Sequence, residues 1–167
     1  MIVPRRVVTG HTPAGVSVVL SDGPVPVSKS LPADGVEFHE VWNTAGAPAR
    51  VTAVEPDEPT ERTLAVPPPP SGTKIRINEF APGHLDERGL QSPVHRTASI
   101  DYGIVLSGEI TLVLDDSEVT LRAGDIVVQR GTEVARVVFV LVDGEFSPEL
   151  VDTIGGLDGL MHGGPRD

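Results

Sequence analysis

The sequence predicts an all-β domain made of short antiparallel strands. Apolar residues recur with period two in several short segments, spaced at roughly 8–12 residues and bounded by turn residues, the signature of a sandwich or barrel. The apolar stock is Val, Leu, Ile and Ala, since aromatics make up only 4% of the chain, and β-branched aliphatic side chains suit a pleated surface. With 18 Gly and 16 Pro in 167 residues, turns must be frequent. No segment before the C-terminal tail carries a 3.6-residue stripe.

Residues 73–143 are the clearest. Thr73 to Phe80 alternates Ile75, Ile77 and Glu79 against Lys74, Arg76 and Asn78. Ile110, Leu112 and Leu114 alternate with Thr111 and Val113, and Asp115-Asp116-Ser117 then reads as a hairpin turn. Glu118 to Arg122 repeats the period. Ala123-Gly124-Asp125 turns the chain again, and Asp125–Gln129 and Arg136–Val142 read as further strands. Residues 1–66 are less regular. They suggest strands over Arg6–Thr9, Val16–Ser21, Val36–Asn43, Arg50–Val54 and Arg62–Val66, with a turn at Ser21-Asp22-Gly23 and a loop from Pro24 to Gly35. Pro67 to Pro70 must be extended, because proline fixes φ and lacks an N–H. The expected organisation is N-terminal strands over 1–66 packing on the barrel, the barrel itself over 67–152, and a flexible glycine-rich tail over 153–167.

Composition excludes several functions. Thirteen basic residues against 24 acidic ones leave a net charge of −11. That disfavours nucleic acid and anionic membrane surfaces, both of which need a basic patch. The longest uncharged apolar run, Val137 to Val142, is far too short to span a bilayer. Met-Ile-Val-Pro-Arg-Arg has charge but no apolar stretch behind it, so no signal peptide is expected, and the expected location is the cytoplasm. With no cysteine, disulfides, thiolate nucleophiles and cysteine-held metals are excluded.

One stretch is specific: Gly89, His95, Thr97, Asp101 and Gly108, followed by Leu121-Arg-Ala-Gly124-Asp125 and Val128-Gln-Arg-Gly-Thr132. His95 and Thr97 are two apart on a strand, so both point to one face. Counted along the next strand, Asp101, Gly103, Val105 and Ser107 share a face. If that face is the interior, it holds an imidazole, a hydroxyl and a carboxylate, while Arg96 and Tyr102 point outward.

The spacing of these residues resembles the two cupin motifs, and the finer pattern His95-Arg-Thr-x-Ser-x-Asp-Tyr-Gly is similar to small single-domain cupins found near bacterial and fungal secondary-metabolite pathways. The resemblance implies an antiparallel double-stranded β-helix, a jelly-roll-like barrel, here with extra N-terminal strands. It also implies a small organic ligand inside the barrel. In metal-binding cupins the first motif supplies two His and one Glu, and the second motif another His. Here Thr97 replaces one His, Asp101 shortens the Glu, and no second-motif His follows Thr132. A firmly held divalent metal is therefore not expected; if one binds, His95 and Asp101 are its ligands, with Glu79, His84 or Glu109 as the places to seek the rest. The family pattern also places about eight to ten more residues between Thr132 and Glu133, so a barrel strand is deleted or residues are missing there.

Two functions follow as expectations. One is an isomerase, dehydratase, cyclase or decarboxylase of secondary metabolism, with His95 moving a proton, Asp101 orienting it, and Thr97, Gly103 and Val105 lining the ligand site. The alternative is a non-catalytic small-molecule binder or sensor with a degenerate metal site. Fold alone does not decide between them. The unpaired edges of an open barrel point to a homodimer. His39-Glu40-Val-Trp42-Asn43 lacks the second His of a zinc-protease helix; Trp42 reads as core or interface, His84 as a solvated loop residue, and His162 as part of the tail.

Overall fold

The computed structural model describes residues 3–32, 35–52, 57–60, 65–84, 96–130, 138–143 and 160–161, and all of its regular structure is β. The strands are β1 (Arg5–His11), β2 (Ser17–Pro24), β3 (Val27–Leu31), β4 (Val36–Thr44), β5 (Thr73–Phe80), β6 (Arg96–Thr97), β7 (Ser99–Ile104), β8 (Glu109–Val113), β9 (Glu118–Arg122), β10 (Ile126–Arg130), β11 (Val138–Asp143) and β12 (Leu160–Met161). Six of them form one antiparallel sheet in the order β10-β7-β11-β5-β4-β3. Strands from the two ends of the sequence thus share a sheet.

β5 occupies the residues its alternation predicts. The hairpin β8–β9 turns at Asp115–Ser117, where the Leu114 amide donates to the Ser117 carbonyl at 2.8 Å. The β9–β10 turn follows from Gly124-Asp125. Gly124 sits at φ +94°, a region open to glycine at little cost, and the Asp125 carboxylate accepts the Arg122 amide at 2.8 Å. Val105 is buried and packs with Ile110, Leu121 and Val127, which ties this double turn to the end of β7.

Three readings change in the N-terminal part. Residues 27–31 form β3 rather than loop, paired along their length with β4 from Val27↔Glu40 to Leu31↔Val36. Ser21-Asp22-Gly23 lies inside β2, where Asp22 holds Arg5 through two hydrogen bonds of 2.6 and 2.7 Å. Arg50, Val51 and Thr52 are outside any strand; residues 53–54 and most of the expected strand at 62–66 lie outside the described residues. In the tail, Leu160–Met161 pairs in parallel with Arg96–Thr97.

The β1–β2 hairpin is fastened to the main sheet by one cluster. Arg6 forks onto Glu58 at 2.8 and 2.6 Å, donates to the Val41 carbonyl at 3.1 Å, and lies over Trp42 at 5.5 Å. Thr60 adds its hydroxyl to Glu58 at 2.6 Å. The Arg6 guanidinium, helped by Thr60, holds the Glu58 carboxyl down at about 2. A carboxyl depressed in the folded state stabilises above its unfolded value and loses that contribution as pH falls. Stability should therefore drop between pH 4.5 and 2, and Glu58→Gln should flatten that part of the curve. Urea midpoints measured across this window test it; parallel curves would refute the assignment.

Candidate functional site

The site is set by which side chains share a face of the six-stranded sheet. Directly paired residues of neighbouring strands lie on the same face, and registers across β11 relate β7 to β5. Asp101 and Lys74 both pair with residue 141, and Gly103 and Arg76 both pair with residue 139. On the flanks, Gln129 pairs with Asp101, Glu40 with Arg76, and Phe38 with Asn78. One face therefore carries Gln129, Ser99, Asp101, Gly103, Lys74, Arg76, Asn78 and Glu40.

This face is the buried one along β7. Residues Ser99 to Ile104 alternate strictly, with Ser99, Asp101 and Gly103 inside and Ile100, Tyr102 and Ile104 outside. Thr97 is buried as well, and its hydroxyl accepts the Ser99 hydroxyl at 2.8 Å. Asp101 and Gln129 are 3% and 2% exposed. The structure thus brings together Thr97, Asp101 and Gly103 of the expected site. Val105 continues the face but serves the core beneath the double turn. His95, the expected proton-transfer group, lies outside the described residues, as does the Thr132–Glu133 junction.

The same face holds charges that the strand pattern does not announce. Lys74, Arg76 and Glu40 are 4%, 3% and 4% exposed. Arg76 donates twice to Glu40 Oε1, at 2.8 and 2.5 Å, gives a further 2.6 Å bond to the Ala65 carbonyl, and lies 4.7 Å over the Phe38 ring. Lys74 Nζ donates to the carbonyls of Ala65 at 2.5 Å and Pro67 at 2.8 Å. Burial, with Arg76 nearby, pulls the Lys74 ammonium down to about 8, and Glu40 only partly opposes this. The segment leading into the proline run is therefore a strap held over β5 by two cations.

Two buried acceptors on this face have no hydrogen-bond partner among the described residues: Glu40 Oε2 and Asn78 Oδ1. A buried acceptor without a donor costs about 1–3 kcal/mol, so each is a place where a bound molecule's O–H or N–H gains. Alternation did separate Lys74, Arg76 and Asn78 from Ile75 and Ile77. It missed that the face of Lys74 and Arg76 is the more deeply buried one, covered by the carbonyls of Ala65 and Pro67.

Among the described residues no group of three or more His, Asp or Glu converges. Asp101 shares its face with the Thr97 and Ser99 hydroxyls and the Gln129 amide, and the expected imidazole partner, His95, lies outside the described residues. Glu79, named as a spare ligand, is on the opposite sheet face, beside His39 at 3.7 Å. Glu109 bridges Arg122 at 3.0 Å on the β8–β9 hairpin, and His84 is exposed next to Gly35.

Comparison with known proteins agrees with the motif residues. A family model described as a cupin domain matches residues 80–134. Phomopsin biosynthesis cluster protein C' of Diaporthe leptostromiformis is 35% identical over 173 aligned residues, covering 94% of this chain and 87% of that protein. The cupin-domain-containing oxidoreductase fogC of Aspergillus ruber is 33% identical over 154, covering 83% of this chain and 71% of its own. The first alignment is longer than the chain itself. As 94% of 167 residues is about 157, about 16 of its 173 positions stand opposite a gap here. The positive-φ glycines Gly108 and Gly124 at its turns, the inward Thr97-Ser99-Asp101-Gly103 row and the similarity to these proteins over most of its length together show that the chain belongs to the cupin superfamily, with relatives named for fungal biosynthesis clusters.

Proposed function

We propose that this protein binds a small, hydroxyl- or amine-bearing organic molecule of secondary metabolism against its polar inner face and rearranges it by proton transfer. The observation that carries this reading is the pair of buried acceptors, Glu40 Oε2 and Asn78 Oδ1, that have no hydrogen-bond donor among the described residues, on the sheet face that also holds Asp101. His95 is the group that takes and returns the proton, and Asp101 orients it. Isomerisation, dehydration, cyclisation and decarboxylation all need no more than this. Redox chemistry, which the names of some relatives suggest for those proteins, forms no part of this reading.

The test is native mass spectrometry of the purified protein, followed by turnover of whatever molecule is retained. Asp101→Asn should leave ligand retention within a few-fold and lower turnover by about a hundredfold, a typical general acid–base contribution. Unchanged turnover would remove Asp101 from the chemistry.

A non-catalytic binder is the second reading, and one observation favours it. The polar groups of the face are largely engaged with one another: Thr97 with Ser99, Arg76 with Glu40, Lys74 with two carbonyls. Recovery of the retained molecule unchanged after prolonged incubation would select this reading.

We also infer a homodimer. The outer face of β7 and β10 is apolar and open: Ile126 is 66% and Val128 54% exposed, beside Ile100, Tyr102 and Ile104. Contiguous exposed apolar surface beyond what a monomer ordinarily shows marks an interaction site. Although the chain carries 24 acidic residues, the described side chains of this patch include none, so two copies of net charge −11 can meet here with least repulsion. Light scattering should show a dimer, and Ile126→Glu with Val128→Lys should give a monomer. A wild-type monomer at all concentrations would reject it.

A further inference from the structure

The sheet face opposite the ligand wall carries a second arrangement, independent of the function proposed above. In β3, Ser28 pairs with His39 of β4, and Glu79 lies one strand further on, on β5. The Ser28 hydroxyl stands 2.7 Å from His39 Nδ1, and Glu79 Oε1 stands 3.7 Å from His39 Nε2. His39 is 1% exposed, and its Nε2 has no hydrogen-bond partner among the described residues, whereas Ser28 is exposed. A buried imidazole thus bridges an accessible hydroxyl and a half-open carboxylate.

We propose that Ser28, His39 and Glu79 form a nucleophilic triad, with Ser28 taking an acyl group from a small carboxylic ester. The parts have the geometry the chemistry needs: nucleophile within 3.2 Å of the base, and the base turned by a third group, a contact commonly looser before substrate binds. Glu79 favours the tautomer with hydrogen on Nε2, which leaves Nδ1 free to accept. Ser28 Oγ attacks the ester carbonyl carbon while its proton passes to His39 Nδ1. The tetrahedral adduct collapses, the bond from carbon to the alkoxy oxygen breaks, and the alcohol leaves with that proton. Water then attacks the acyl-Ser28 carbonyl and gives a proton to His39, and collapse releases the carboxylic acid and restores Ser28. Among the described residues β3 is the last strand of its sheet, which places the nucleophile at an edge that an extended ligand can approach. Sequence reading missed the trio because Ser28 sits between prolines and its two partners come 11 and 51 residues later.

The experiment uses the full chain and a fluorophosphonate probe, with the label located by peptide mass mapping. Ser28 Oγ attacks phosphorus, the P–F bond breaks, and the proton taken by His39 passes to solvent. Ser30 is the internal control: it is exposed, on the same strand face two residues away, and pairs with Glu37 rather than a histidine. Ser28 should be labelled about a hundredfold faster than Ser30 in the same folded molecule, the scale of general base assistance. Glu79 is a positioning residue, so Glu79→Gln should lower the Ser28:Ser30 ratio about tenfold with Ser30 labelling unchanged. Because His39 is buried and its replacement also perturbs folding, the glutamate variant carries that arm. Equal labelling of the two serines in the wild type would overturn the proposal, and so would an unchanged ratio in Glu79→Gln.

Discussion

Gly72→Ala should lower stability by about 2–4 kcal/mol, toward the upper end of overpacking costs. A Cβ at this position runs into the Thr44 backbone carbonyl and comes within 3.1 Å of the Pro69 carbonyl. Neither obstacle is the end of a side chain that can swing away. Gly72 also closes a turn by donating to Pro69 at 2.9 Å, and the next residue is tied to Thr44 through the Thr73 amide at 2.9 Å and the two hydroxyls at 2.8 Å. Moving the backbone to admit a methyl would pull the start of β5 off β4. In a domain of this size each kcal/mol moves the melting temperature by about 2–4 °C. A thermal midpoint within 2 °C of wild type would show that the close approach is not there.

Arg76→Met should be at least as damaging, about 3–5 kcal/mol, the usual result of removing one partner from a buried ion pair. The loss leaves the Glu40 carboxylate buried with no countercharge at hydrogen-bond distance and takes a donor from the Ala65 carbonyl. The pair itself is not expected to add so much. Arg76→Met combined with Glu40→Leu should recover most of the loss, because desolvating two charges offsets their attraction. Denaturant unfolding of the two singles and the double gives the coupling. Additive effects would mean that the two side chains do not meet. The double variant should also fail to retain the co-purifying molecule, since it lacks one of the two donorless acceptors.

How much of this was legible in the sequence varies by element. β5 and β7 to β10 were readable because their alternation is bounded by turns with local chemistry, such as the Asp125 carboxylate capping its own turn. Period two places Ser99, Asp101 and Gly103 on one face of β7, and the resemblance to the cupin motif implies that this face is the inner one. β3 was not readable: Val27-Ser-Lys-Ser-Leu31 lies between Pro26 and Pro32, has only two apolar residues, and owes its strand to pairing with β4. Asp22-Gly23 has the composition of a turn, but the Arg5 guanidinium holds it extended. The hidden part of the site is the charged wall. Lys74 and Arg76 look like a solvent face until carbonyls from 65 and 67 and a carboxylate from residue 40 arrive, and those partners are set by tertiary packing. A local window sees two cations; only the fold supplies what neutralises them.

The sheet order has a kinetic meaning. β11, residues 138–143, is inserted between β5 and β7, so among the described residues the last long strand to be synthesised is the one that joins the two halves of the sheet. Until it emerges, β3-β4-β5 and β7-β10 are separate pieces with open inner edges, and Lys74 and Asp101 belong to different fragments. Contacts of such long sequence separation are slow to form, on a scale of milliseconds to seconds for all-β domains. During that interval both inner edges are available to other chains. The inner face, with its buried charges, is therefore completed only once β11 has joined the two pieces.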